Sequence, residues 1–93
     1  MKYIIKHSMK FKKNYKLARK RGLDVSALKE IITKLGNGVP LDAKYKDHAL
    51  KGNWKGFREC HIQPDWLLIY LIEDDILTLT LVDTGTHADL LKM

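Results

Sequence analysis

Apolar residues in the first third of the chain recur every three or four positions. In the second half they alternate or run together, and that change of period separates helices from strands. Lys2–His7 alternates weakly around Ile4 and Ile5 and predicts a short first strand. Ser8 suits an N-cap, and Phe11, Tyr15 and Ala18 then recur at helical spacing as far as Lys20, with Gly22 to end the helix. Asp24 caps a second helix whose stripe is Val25, Leu28, Ile31, Ile32 and Leu35, with Gly36 expected at its C′ position. Residues 36–47, punctuated by Gly-Asn-Gly and Val39-Pro40, form a loop.

Trp54–Ile62 is the second predicted strand, and Gln63-Pro64-Asp65 is a turn. Trp66–Ile72 is almost entirely apolar, as expected of a central strand covered on both faces. Glu73-Asp74-Asp75 makes an acidic hairpin turn. Ile76–Val82 then alternates, with Leu77, Leu79 and Leu81 on one side and Thr78, Thr80 and Val82 on the other. Thr84-Gly85-Thr86 breaks that strand, and Thr86 can cap a last helical turn over His87–Leu91. The order β-α-α-β-β-β predicts one α+β domain over residues 1–93. A helical pair packs on a mainly antiparallel, four-stranded sheet.

Composition narrows the picture. Ninety-three residues, 45% hydrophobic and 30% charged, describe one folded domain and exclude disorder or a repeat fibre. No apolar run is long enough to span a bilayer, no signal peptide is visible, and the lone Cys60 has no internal disulfide partner. A reducing cytoplasm is the natural setting. The net charge of +6 is unevenly placed: +8 over residues 1–30, +3 over 31–62 and −5 over 63–93. Lys10, Lys12, Lys13, Lys16, Arg19, Lys20 and Arg21 line the polar face of the first helix. A basic face attracts polyanions, nucleic acid first among them. A solvated helix face would look the same.

His48, His61 and His87 all fall at element edges, and Asp65 lies in the turn before the third strand. Histidines titrate near neutrality, so two of them can serve as general base and general acid. For RNA the matching reaction is internal. A base takes the 2′-OH proton, the oxygen attacks the adjacent phosphate, and an acid protonates the leaving 5′-oxygen. No cofactor is required. Cations must balance the developing charge, and Lys51, Lys55 and Arg58 lie in the right stretch. On a regular strand Lys55, Glu59 and His61 share one face and Arg58 the other, so Arg58 reaches His61 only across a bulge. Each residue also has a plainer reading. A lone histidine is more often a surface residue, Trp66 a core residue, Asp65 a turn former and Cys60 a small buried hydrophobe. The spacings of 13, 4 and 22 between His48, His61, Asp65 and His87 match no compact metal motif. A Cys60–His61 nucleophile pair fails because strand neighbours point to opposite faces.

The run from Asp47 to Tyr70, DHALKGNWKGFRECHIQPDWLLIY, and the ending Thr84-Gly85-Thr86-His87-Ala88-Asp89-Leu90 resemble the signatures of YafQ-type toxins of the RelE superfamily. The likeness spans nearly the whole chain. It implies a RelE-like fold and cleavage of mRNA, mainly in the ribosomal A site. It also implies a DinJ- or RelB-like antitoxin partner, through which alone operator DNA is reached. By motif the catalytic residues would be His48, His61, Asp65 and His87, with Trp66 lining the site. His87 would be the general acid, and Asp65 or His61 the base. Three positions depart from the pattern. Asp83 stands where close relatives carry an arginine, Leu67 where RelE has one, and Leu91 where relatives often end on an aromatic. Either Arg58 or Lys51 compensates, or Asp83 points away, or activity is reduced. A non-catalytic, antitoxin-bound corepressor and a ribosome-independent ribonuclease are the rival readings.

Overall fold

The computed structural model describes residues 1–91; the side chain of Leu91 lies outside the described residues. The chain runs β1 (Ile4–His7), α1 (Met9–Lys20), α2 (Val25–Gly36), β2 (His48–Ala49), β3 (Arg58–Gln63), β4 (Trp66–Glu73), β5 (Thr78–Gly85) and α3 (His87–Leu91). The sheet has five strands in the order β1-β5-β4-β3-β2. β1 pairs with β5 in parallel, and every other pairing is antiparallel. The added strand is β2, two residues long, between the loop expected over 36–47 and the strand expected from Trp54. Its pairing is His48 with Glu59 and Ala49 with Arg58.

The helices start where their caps predict. Ser8 Oγ accepts the Phe11 N–H at 2.9 Å, and Asp24 accepts from Ser26 and Ala27. These side chains satisfy N–H groups that have no partner within the helix. Ser26 and Ala27 hold the Asp24 carboxyl below its ordinary range. α1 ends on Gly22 at φ +77°, with the Leu23 N–H returning to Ala18 O at 3.1 Å. α2 ends two residues later than its stripe predicts. Gly36 is still helical, and Gly38, at φ +73°, takes the left-handed C′ position. Both glycines permit a stop there, and the closing bonds from Gly38 to Leu35 O and Val39 to Lys34 O decide for the second.

Both faces of β4 are covered. Trp66, Leu68 and Tyr70 join Phe11, Ala18, Leu28, Ile31 and Leu35 in the main core under the helices. Each fully buried aliphatic side chain there contributes about 1.5–3 kcal/mol. On the other face Leu67, Ile69 and Leu90 form a smaller cluster beside Leu50, Trp54, Phe57 and Val82. β3 begins at Arg58 rather than Trp54, because residues 52–54 coil into a tight helical turn. β5 begins at Thr78: residues 74–76 turn likewise, and Leu77 takes a left-handed φ of +46° and stays exposed. β5 then continues through Gly85, past its expected break. A bulge at Val82 shifts its register, so that Ile69 faces Asp83 while Tyr70 faces Leu81. No described helix is long and apolar enough to cross a membrane.

Candidate active site

Strand alternation decides which side chains meet on the face away from α1 and α2. In β3, Cys60 and Ile62 enter the main core, so Glu59 and His61 point the other way. His48 is the cross-strand partner of Glu59. His87 arrives from the opposite side, on the first turn of α3. That helix lies tight against β5: a Cβ added at Gly85 would stand 3.2 Å from Asp89 and 3.3 Å from Leu90. Glycine is therefore what allows α3 to approach so closely.

The three histidines surround one carboxylate. Glu59 Oε1 lies 3.5 Å from His61 Nε2, 3.6 Å from His48 Nε2 and 4.0 Å from His87 Nε2. Glu59 is only 2% exposed, and its second oxygen has no hydrogen-bond partner. The ring centroids of His61 lie 5.4 Å from those of His87 and 6.3 Å from those of His48. Every Nδ1 faces an oxygen. His48 Nδ1–H donates to Lys46 O at 2.6 Å, and His61 Nδ1 faces Pro64 O at 3.4 Å. His87 Nδ1 faces Asp65 Oδ1 at 3.3 Å, and the same oxygen accepts the His87 backbone N–H at 3.4 Å. Carbonyl and carboxylate oxygens only accept, so all three rings carry a proton on Nδ1. The variable proton then sits on Nε2, where the three rings converge. A buried carboxylate needs a donor or a cation beside it, and the three Nε2 atoms are the groups placed to supply one. The cluster thus sets three Nε2 atoms, each able to give or take a proton, around one carboxylate oxygen.

His48, His61, Asp65 and His87 are brought together as their motifs imply. Glu59 carries the geometry and was given no role from the sequence, although alternation had already put it on the His61 face. Four other candidates stand elsewhere. Arg58 lies on the opposite face, because the only irregularity in the β3–β4 pairing falls after His61, not between the two residues. Its Nε donates to Asp47 at 3.3 Å and to the Tyr70 hydroxyl at 3.4 Å, and these partners raise its already high pKa. Arg58 is therefore not available to a phosphate at the histidines. Trp66 is 3% exposed, in the main core, with no open face for a base to stack on. It borders a groove of about 550 Å³ that Asp65 also lines, between α1 and the Gln63–Trp66 turn. Lys51 and Lys55 are exposed on the β2–β3 connection.

Asp83 points away from the cluster. It is buried, accepts from Asn14 Nδ2 at 2.6 Å and from the Thr84 N–H at 2.8 Å, and has Lys10 Nζ at 3.9 Å. Its work is to pin α1 to β5. Leu67 is buried in the smaller apolar cluster. Cys60 is fully buried, and burial pushes its thiol up to about 12, which leaves no thiolate for nucleophilic attack.

Spacing gave no metal motif, but folding brings the ligand atoms of Glu59, His61 and His87 within 4.8 Å of one another. That donor set suits a divalent ion such as zinc or copper.

Comparison with known proteins places the chain. Residues 3–92 match the family model described as the bacterial toxin of a type II toxin–antitoxin system, YafQ. The mRNA interferase toxin YafQ of Escherichia coli strain K12 is 48% identical over 87 residues, 92% of each chain. The crystal structure of the E. coli DinJ–YafQ toxin–antitoxin complex superposes with a TM-score of 0.87 at 46% identity, covering 97% of this chain and 98% of that one. A metal-bound toxin from Helicobacter pylori superposes with a TM-score of 0.89 at 45% identity, covering 95% and 98%. With a family model over nearly its whole length and a relative sharing about half its residues, this chain belongs to the YafQ family of type II toxin–antitoxin toxins.

Proposed function

We propose that this toxin is an mRNA endoribonuclease acting on translating ribosomes, by internal 2′-OH attack with proton transfer between histidine Nε2 atoms. The observation that carries the reading is the convergence of three Nε2 atoms on one buried carboxylate oxygen, with each Nδ1 tied back to an oxygen. His61 Nε2, unprotonated, takes the 2′-OH proton. The 2′-oxygen bonds to phosphorus as the bond to the 5′-oxygen breaks. His87 Nε2–H delivers the proton to that leaving oxygen. The products are a 2′,3′-cyclic phosphate and a 5′-hydroxyl. Asp65 is taken up with His87 Nδ1, so its part is to orient the acid and support its charge rather than to act as base. Imidazolium charge, with Lys51 and Lys55 nearby in sequence, replaces the arginine of relatives in stabilising the phosphorane-like transition state.

An antitoxin of the DinJ kind, the partner named for E. coli YafQ, is the expected inhibitor of this chain. Ribosome dependence is tested by comparing cleavage of one transcript with and without ribosomes. His87→Ala should lower cleavage about 10²–10⁴-fold, the span of a lost general acid. Undiminished cleavage by that variant removes the mechanism.

A second reading rests on the metal-ligand geometry. Glu59, His61 and His87 would hold a divalent ion, and a relative of this fold has been solved metal-bound. Such an ion is a Lewis acid, and it would occupy the Nε2 lone pairs that proton transfer needs. Calorimetric titration with Cu²⁺ or Zn²⁺ tests it: one site per chain, lost in Glu59→Gln, supports it, and no heat refutes it.

A further inference from the structure

We propose that Asp47, Tyr70 and Arg58 form a clamp on the helix side of the sheet that holds His48 over Glu59 on the other side. The proposal deepens the endoribonuclease reading, rests on it, and adds a part for His48, whose ring beside Glu59 fixes the carboxylate that His61 and His87 share.

The need for a clamp follows from β2. It is a two-residue edge strand, exposed at both positions, and its ladder is two residue pairs long. So short a pairing does not hold itself in water. The flanking chain is not stiff either: Lys46 before it has φ +50°, and Gly52 and Gly56 after it lie at φ +64° and +97°. Yet His48 keeps its Nε2 3.6 Å from Glu59.

Asp47 is the neighbour of His48, and strand alternation turns its carboxylate to the opposite face. There Asp47 Oδ1 accepts the Tyr70 hydroxyl and, at 3.3 Å, the Arg58 Nε–H. Arg58 also reaches the Tyr70 hydroxyl at 3.4 Å, so the three groups close a triangle. Tyr70 is 1% exposed, on the central strand, and is the cross-strand partner of Arg58. The triangle therefore ties the loosest strand of the sheet to its most deeply buried one. Bonds to a charged acceptor in a half-buried setting are the stronger kind. One residue further along, the pull of the clamp is read out as the position of an imidazole. Asp47, Tyr70 and Arg58 are positioning residues: none of them touches the cluster.

Four variants test this: Tyr70→Phe, Asp47→Asn, His48→Gln and the double variant Tyr70→Phe/His48→Gln. Single-turnover cleavage on ribosomes is measured with KM, together with the nuclear Overhauser effect between the His48 and His61 rings. Tyr70→Phe removes one oxygen, and Asp47→Asn supplies the same test with the core untouched. The clamp predicts a fall of about tenfold in the single-turnover rate with KM unchanged, the scale of a small misplacement of a reacting group. It also predicts that Tyr70→Phe costs nothing further once His48 is glutamine. Equal costs in both backgrounds would show a general structural effect and overturn the proposal. Failure of the underlying reading, or of the part given to His48, looks different: the unaltered chain would not cleave on ribosomes, or His48→Gln would cleave as it does. In that case the ring–ring contact decides alone. Its loss in Tyr70→Phe or Asp47→Asn supports the clamp, and its persistence in both overturns it.

Discussion

At the residue scale, the cluster is governed by Glu59, whose carboxylate is buried among three imidazoles with one oxygen unpartnered. Glu59→Gln keeps the shape and removes the negative charge that the three rings surround. Cleavage on ribosomes should fall about 10²-fold in rate with little change in KM, because the charge beside the proton-transferring atoms is lost rather than a binding contact. A second residue-scale prediction concerns Tyr70. Burial, then its bond to Asp47, push the hydroxyl pKa up. A group whose pKa is raised by folding contributes stability below its unfolded pKa and loses it as pH rises. Stability measured by denaturant unfolding should therefore fall above about pH 10, by about 1.4 kcal/mol per pH unit for this one group, and Tyr70→Phe should flatten that slope. The four motif residues were legible from sequence, since histidines at strand ends and an aspartate in a turn are visible as such. Glu59 stood on the right face by alternation. What raised it to the centre was its pairing with His48, and no local pattern announces a two-residue strand.

At the scale of elements, the long helices and the apolar β4 were legible because period and caps agree. The errors fell where tertiary bonds override local signals. β2 exists because β3 offers an edge to pair with, and α2 runs on to the second of two available glycines. The bulge at Val82 lets β5 continue past the expected break. That continuation delivers Gly85 to α3, and a prediction follows for the junction. In Gly85→Ala the new methyl would meet Asp89 and Leu90 at 3.2–3.3 Å, so α3 must shift by a few tenths of an ångström. The helix carries His87, whereas the main core does not depend on it. Cleavage should drop about tenfold while the melting temperature changes little. Circular dichroism melts beside single-turnover rates measure both; a large loss of stability with a proportionate loss of rate would mean that the junction is merely structural.

Over the whole molecule, charge is sorted by position. The seven basic residues of the α1 stretch are all exposed, and Lys12, Lys13, Lys16, Arg19 and Lys20 make no ion pair among the described residues. The acidic Glu73-Asp74-Asp75 turn closes the far end of β4, while the histidines gather at the Gln63–Trp66 end. Eight residues of strand separate those ends, on the order of 25 Å. At physiological ionic strength fields between exposed charges fade within about 8 Å, so the acidic turn does not repel a polyanion at the other end. The C-terminal end of α1 meets α3, where Arg21 stands 3.9 Å from Asp89, so a nucleic acid held along the basic face of α1 would end beside the helix that carries His87. If about five phosphates are contacted there, ribosome affinity should fall about 10²–10³-fold between 50 and 200 mM salt. Lys12→Glu with Lys16→Glu should weaken binding and flatten that salt dependence, yet leave the chemical step intact in ribosome complexes saturated with toxin. Sedimentation of toxin with ribosomes across a salt series gives the slope. A slope near zero in the unaltered protein would move the docking surface off α1, and the +8 of its first thirty residues would then be only a solvated helix face.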